Sequence, residues 1–123
     1  MRTLLIVDDE EGVRSLVRMT LESENYEILE AKEGSEAISM VRTHMPDLVL
    51  LDVMLPDCSG IDVCRALKTD PQTARTTVVM LTAKAQSADL EDAEAAGADG
   101  YFTKPFSPVA LMQRVERIFG AAF

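Results

Sequence analysis

Five short apolar runs punctuate the chain: Leu4 to Val7, Tyr26 to Leu29, Leu48 to Leu51, Val78 to Leu81 and Gly100 to Thr103. Three of them are almost uninterrupted in Val, Ile, Leu and Met, the pattern of strands buried on both faces of a parallel sheet. The segments between them carry apolar residues at helical spacing instead. Val13, Leu16, Val17 and Leu21 form one stripe, and Ala37, Ile38 and Val41 another. Ile61, Cys64 and Leu67, then Leu111, Val115 and Ile118, give two more. The segment around Leu90 is mostly Ala and acidic residues, so the helix expected there packs loosely. Gly34, Pro46, Pro56, Gly60, Pro71, Gly97 and Pro105 fall between the predicted elements. Five strands alternating with five helices predict right-handed βαβ units in a doubly wound α/β sheet. The pattern leaves the strand order open. It does place a ligand site beyond the carboxyl ends of the strands, near a topological switch point.

At 123 residues the chain has the size of one globular domain, and no linker, repeat or low-complexity stretch divides it. A single domain over residues 1–123 is expected, with no output domain inside it. Asp and Glu outnumber Lys and Arg by 21 to 12, for a formal net charge of -9. Such a surface is repelled by nucleic-acid phosphates and anionic lipid, which argues against direct nucleic-acid binding and against a membrane partner. No apolar run approaches the roughly 20 residues of a membrane span. The run Leu4 to Val7 is also too short for a signal-peptide core, so a cytoplasmic location is expected. Cys58 and Cys64 are too few for a disulfide framework and read as small apolar residues. His44, just before Pro46, reads as a surface cation suited to a helix carboxyl end.

The polar residues that directly follow the apolar runs change the picture. Strand one ends in Asp8-Asp9-Glu10, strand three in Asp52, strand four in Thr82, and strand five runs into Lys104-Pro105. Singly, each has an ordinary explanation. The first acids suit the start of a helix, a lone Asp suits a turn, and Thr82 and Lys104 suit a strand end and a solvated surface. Together they fall at four strand ends of one sheet edge. Two like charges ~4 Å apart cost about 4 kcal/mol at an effective dielectric near 20. Carboxylates gathered there need a cation among them, or one must hold a proton. Hard oxygen ligands favour Mg²⁺ or Ca²⁺, and an incomplete cage with room for water and phosphate suits Mg²⁺, with Mn²⁺ as a substitute.

The chain resembles the receiver domain of two-component response regulators from about Leu4 to Phe119. The resemblance is carried by Val7-Asp8-Asp9-Glu10, by Leu51-Asp52-Val53-Met54-Leu55-Pro56-Asp57 with Gly60, by Leu81-Thr82-Ala83, by Gly97-Ala98-Asp99 and by Lys104-Pro105-Phe106. It implies a flavodoxin-like strand order of 2-1-3-4-5. It also implies Asp52 as phosphoacceptor, Asp9 as a direct metal ligand with Asp52, and Asp8 acting on the metal through water. The backbone carbonyl of Met54 would complete the protein ligands to Mg²⁺. Thr82 matches the switch hydroxyl, Lys104 the lysine that pairs with the phosphoryl group, and Tyr101 the aromatic switch position. Ala83 and Pro105 match flanking positions of the site, and Lys104-Pro105 is a candidate cis peptide bond. The implied partners are a sensor histidine kinase or phosphotransfer protein, a downstream protein or output domain, and a second copy in a phosphorylation-linked homodimer. The implied activity is a phosphoacceptor switch that catalyses only its own phosphorylation and dephosphorylation.

Two positions near the acceptor bear on signal lifetime. Met54 cannot hydrogen-bond an attacking water, and Lys84 stands where it can reach or shield a phosphoryl group, so slow autodephosphorylation is expected. Three other functions fit less well. An aspartyl-phosphate hydrolase wants an acid two residues past the nucleophile, where this chain has Met54. A phosphate-independent module implies a lost acid, Thr or Lys, and none is lost. A flavin-binding domain wants a phosphate-cradling loop where this chain has Asp8-Asp9-Glu10.

Overall fold

The computed structural model describes residues 2–22, 26–83 and 87–119. Strands β1 (Arg2–Val7), β2 (Tyr26–Ala31), β3 (Leu48–Asp52), β4 (Thr77–Thr82) and β5 (Gly100–Thr103) alternate with helices α1 (Glu11–Leu21), α2 (Gly34–His44), α3 (Gly60–Thr69), α4 (Ser87–Ala95) and α5 (Pro108–Phe119). The strands form one parallel sheet in the order β2-β1-β3-β4-β5, as the family resemblance implies. The chain reverses direction across the sheet between β1 and β3. Their carboxyl ends therefore flank the switch point.

The alternation of side chains along the strands divides the core in two. Leu5 and Val7 pack with Ala37, Val41, Ile61 and Cys64 beneath α2 and α3. Leu4 and Ile6 pack with Val17, Leu21, Leu111 and Val115 beneath α1 and α5. Every residue of β3 is buried, which explains its unbroken apolar run. Each fully buried Leu or Val here contributes roughly 1.5–3 kcal/mol. The α4 segment reaches the core through Ala93 and Ala96, small residues that leave little apolar stripe in the sequence. Cys64 is buried and Cys58 partly buried, both as free thiols. His44 is exposed in the last turn of α2. No described helix is long and apolar enough to cross a membrane.

Backbone register delivers the polar residues to one edge. Val7 pairs with Leu51, so Asp8 and Asp52 emerge side by side. Thr82 pairs with Thr103, one residue before Lys104. The turn out of β3 is closed by the Gly60 N–H, which donates to the Val53 carbonyl at 2.7 Å. A Cβ on Gly60 would lie 1.9 Å from the carbonyl oxygen of Asp52. Glycine is thus required by close approach, not by an unusual dihedral. Gly60→Ala should force the turn away from Asp52 and destabilise the protein by about 1–3 kcal/mol, the usual range for overpacking. Urea denaturation measures the loss, and a change within error would contradict this steric reading.

Candidate functional site

At the carboxyl edge an open cleft of about 680 Å³ is lined by Asp9, Glu10, Asp52, Thr82, Ala83 and Lys104, with residues 53–56 on one side. The Lys104 ammonium lies 3.0 Å from Asp8 Oδ2, 3.2 Å from Glu10 Oε1 and 3.4 Å from Asp52 Oδ2. Three strand ends thus meet at one nitrogen. Asp8 is fully buried and Asp52 nearly so, while Glu10 opens to solvent. The Lys104-Pro105 peptide bond is cis, as expected from the resemblance. The Lys104 N–H donates to the Thr82 carbonyl at 2.7 Å, fastening the β5 end to the β4 end.

The acids are held by backbone as well as by charge. Asp8 Oδ1 accepts the Glu10 N–H at 2.9 Å, and Asp52 Oδ1 accepts the Met54 N–H at 3.3 Å. Glu10 is the N-cap of α1, yet its side chain makes no capping bond. Its carboxylate faces Lys104 instead. Helix capping therefore does not account for the acidic run. Carboxylate oxygens of Asp8, Glu10 and Asp52 all lie within 4.8 Å of one another, a group able to hold a metal ion. Asp9, the ligand expected from the family pattern, lines the same cleft outside that trio and is exposed.

Charge balance tests whether a cation fits. Three ionised carboxylates against one ammonium leave two negative charges uncompensated, the amount a divalent ion supplies. The donors are all hard oxygens, which suits Mg²⁺. Without such an ion, burial and then the charge on Asp8 push Asp52 up to about 6, against the opposing pull of Lys104 and the Met54 N–H. Lys104 is held above its ordinary value. Burial works against its charge, but the hydrogen bond to Asp8 and the charges on Asp52 and Asp8 outweigh it.

Sequence reasoning placed Asp8, Asp9, Asp52, Thr82, Ala83 and Lys104 at this edge, and the fold brings them together. Met54 borders the cleft with its side chain exposed, and Thr82 is buried at the end of β4. Pro105 is exposed next to Lys104. Tyr101 does not face this cleft. It is 46% exposed and lines a smaller hollow of about 260 Å³ with Leu90, Ala93 and Ala98. Lys84 lies outside the described residues.

Three contributors were missed. Glu10 stood out only as part of the acidic run after β1, with no ligand role of its own, although it completes the trio. Arg14, 7% exposed on α1, donates to the Asp8 carbonyl; its signal was a charged residue on an otherwise apolar stripe. Asp57 accepts the Gly34 and Ser35 N–H groups at 2.8 and 3.1 Å, so the loop after β3 caps α2. Those two bonds hold the exposed Asp57 carboxyl below its usual range.

A family model for the response regulator receiver domain matches residues 4–116. The chain belongs to that family. Among curated relatives, the phosphate regulon transcriptional regulatory protein PhoB of Pseudomonas aeruginosa is 43% identical over 117 residues, covering 95% of this chain and 51% of PhoB. The transcriptional regulatory protein ResD of Bacillus subtilis is 44% identical over 119 residues, covering 97% and 48%. This receiver domain thus spans about half the length of the curated relatives it matches. Among solved structures, the chemotaxis response regulator CheY4 of Vibrio cholerae matches at TM-score 0.91 and 30% identity, covering 96% of this chain and 98% of that one. The BeF3-activated receiver domain of DrrB, from Thermotoga maritima, matches at TM-score 0.85 and 32% identity over 95% and 96%.

The raised Asp52 value has a consequence for stability. A carboxyl whose folded pKa exceeds its unfolded value holds its proton more tightly in the fold, so stability falls as pH rises through the interval between the two. For Asp52 that window runs from 3.8 to about 6. In the absence of divalent metal, wild type should lose about 1 kcal/mol between pH 5 and pH 7.5 relative to Asp52→Asn. Urea denaturation of both proteins at the two pH values checks this. Parallel behaviour would mean that burial does not hold the Asp52 proton.

Proposed function

We propose that this receiver domain takes a phosphoryl group onto Asp52 from a sensor histidine kinase or phosphotransfer protein and changes conformation to signal onward. The single observation that carries the reading is the Lys104 ammonium reaching Asp8, Glu10 and Asp52 at the switch point, with two negative charges left over. A site so built favours an incoming divalent cation and, through it, a phosphate. Asp52, Asp8 and Glu10 would hold the ion, with Asp9 and the Met54 carbonyl as the further ligands the family pattern implies. Mg²⁺, when bound, supplies charge neutralisation to the phosphoryl oxygens.

The protein's own groups do the rest. An Asp52 oxygen attacks phosphorus, the new P–O bond forms as the donor's P–N or P–O bond breaks, and the bonding pair leaves with the donor. The transition state is largely dissociative, so positioning and charge matter more than covalent participation. Lys104 is already beside Asp52 and needs only to turn from the carboxylates to the phosphoryl oxygens. Thr82 sits at the adjacent strand end, where its hydroxyl can bond an oxygen of the phosphoryl group, whose total charge is near -2. Tyr101 and the hollow beside α4 are the readout face, and the alanines of α4 let it shift at little cost. The output partner docks there, whether a separate protein, a further domain or a second copy. Direct contact of this domain with nucleic acid is disfavoured by its net charge of -9.

Incubation with Mg²⁺ and acetyl phosphate should add one phosphoryl group by intact mass, and Asp52→Ala or removal of Mg²⁺ should abolish the gain. Addition that survives Asp52→Ala would sink the assignment. The lifetime of the phosphoprotein tests the second point. Met54 is 77% exposed at the cleft and offers water no hydrogen bond. Replacing Met54 by Asn and Lys84 by Glu should shorten the lifetime roughly fivefold, since one hydrogen bond to the attacking water is worth about 1 kcal/mol. An unchanged or longer lifetime in a decay assay defeats the idea.

A further inference from the structure

Asp8 is pinned at four atoms. Its N–H donates to the Ala31 carbonyl at 3.1 Å, its Oδ1 accepts the Glu10 N–H, and its Oδ2 meets Lys104. The fourth is its backbone carbonyl, which accepts a bond of 2.9 Å from Arg14 Nη1 in a buried setting. Arg14 is steered by Glu30 on β2, whose Oε1 accepts from Arg14 Nε at 3.0 Å. The other oxygen, Oε2, accepts from Arg18 Nε at 2.8 Å.

This arrangement is not needed to attach α1 to the sheet. Val17 and Leu21 already bury their side chains there, and Arg18 bonds both Glu30 and the Ile28 carbonyl. A buried guanidinium is also a poor source of stability, because its desolvation offsets most of the ion-pair attraction. A methionine keeps the unbranched apolar stem but ends where Nε stands, too short to reach the Asp8 carbonyl. What Arg14 alone adds is its hold on the Asp8 carbonyl. That oxygen lies in one rigid plane with the Asp9 N–H, so fixing it sets the direction in which the chain leaves β1. The next two residues along that direction are Asp9 and Glu10, the acids that line the cleft.

We propose that Arg14, oriented by Glu30, is a positioning residue of the site: it holds the Asp8–Asp9 peptide so that the acids after β1 face Lys104 and Asp52. The proposal goes beyond the phosphoacceptor reading but rests on it for the meaning of the acids. Arg14 does not line the cleft itself. It acts through the backbone, as outer groups do when they orient metal ligands.

Wild type, Arg14→Met and Arg14→Lys can be compared in three measurements. These are the melting temperature without metal, the Mg²⁺ affinity by calorimetric titration, and the rate of phosphorylation by acetyl phosphate at saturating Mg²⁺. Arg14→Met should weaken Mg²⁺ binding roughly tenfold, the lower end of losses for groups that orient ligands, in a protein still fully folded at the titration temperature although the unpaired Asp8 carbonyl lowers its melting temperature. Arg14→Lys, whose ammonium lacks the planar fork that reaches two acceptors, should fall between them. A folded Arg14→Met protein that binds Mg²⁺ within about twofold of wild type overturns the proposal, as does a loss that merely follows the melting temperature. If Arg14→Met fails to fold, Arg14→Lys decides: weaker Mg²⁺ binding at an unchanged melting temperature supports the role, and equal binding overturns it. Failure of wild type itself to take a phosphoryl group would sink the phosphoacceptor reading, while the Mg²⁺ titration would still judge Arg14.

Discussion

The structure turns on one charge imbalance: a single ammonium, Lys104, among the carboxylates of Asp8, Glu10 and Asp52. Electrostatics alone would scatter these acids. They stay together because each is attached to the end of a strand whose burial is far more favourable than the local repulsion is costly. Leu4 to Val7 and Leu48 to Leu51 are all about 1% exposed or less. The apolar sheet therefore acts as the clamp, and Lys104 as a partial counter-charge. The acids held in this way form a cluster able to hold a metal ion.

A clamp of this kind works only if its jaws are rigid, and backbone contacts supply that. Gly60 lets the first turn of α3 press against the Asp52 carbonyl. Asp57 ties the same loop to the amino end of α2. On the opposite jaw, the Asp8 N–H is bonded to β2 and its carbonyl to Arg14. Asp8 and the turn that follows Asp52 thus have their main chain held by elements other than their own strands.

Much of this was legible in the sequence, for identifiable reasons. The strands declared themselves because parallel strands buried on both faces leave unbroken apolar runs. Their reading stopped short only where a polar residue intruded. Tyr26 to Leu29 was extended to Ala31 by the structure because Glu30, a break in the pattern, is paired with Arg14 and Arg18. The strand order was not in the periodicity at all and came from the family motifs. The α4 helix was faint because Ala93 and Ala96 bury little surface. The roles of Arg14 and Asp57 were hidden for a different reason. Arg14 stood out only as a charge on an apolar stripe and Asp57 only as part of a motif, and the backbone groups they bond lie 6 and 22–23 residues away.

The same logic suggests how an event at Asp52 could be felt at a distance. Lys104 is bonded through its N–H to the Thr82 carbonyl, so the two residues on either side of the cleft cannot move independently. Beyond Lys104, Phe106 stacks on Phe102 at 5.0 Å between ring centroids. Arg114 of α5 lies over Phe102 at 5.1 Å and donates to the Tyr101 carbonyl at 3.1 Å. A continuous run of contacts therefore leads from the ammonium to the backbone of Tyr101. Packed aromatic stacks and short hydrogen bonds resist gradual deformation and favour discrete arrangements. The end of β5 that carries Lys104 is in this way packed against the same contacts that hold the backbone of the half-exposed Tyr101.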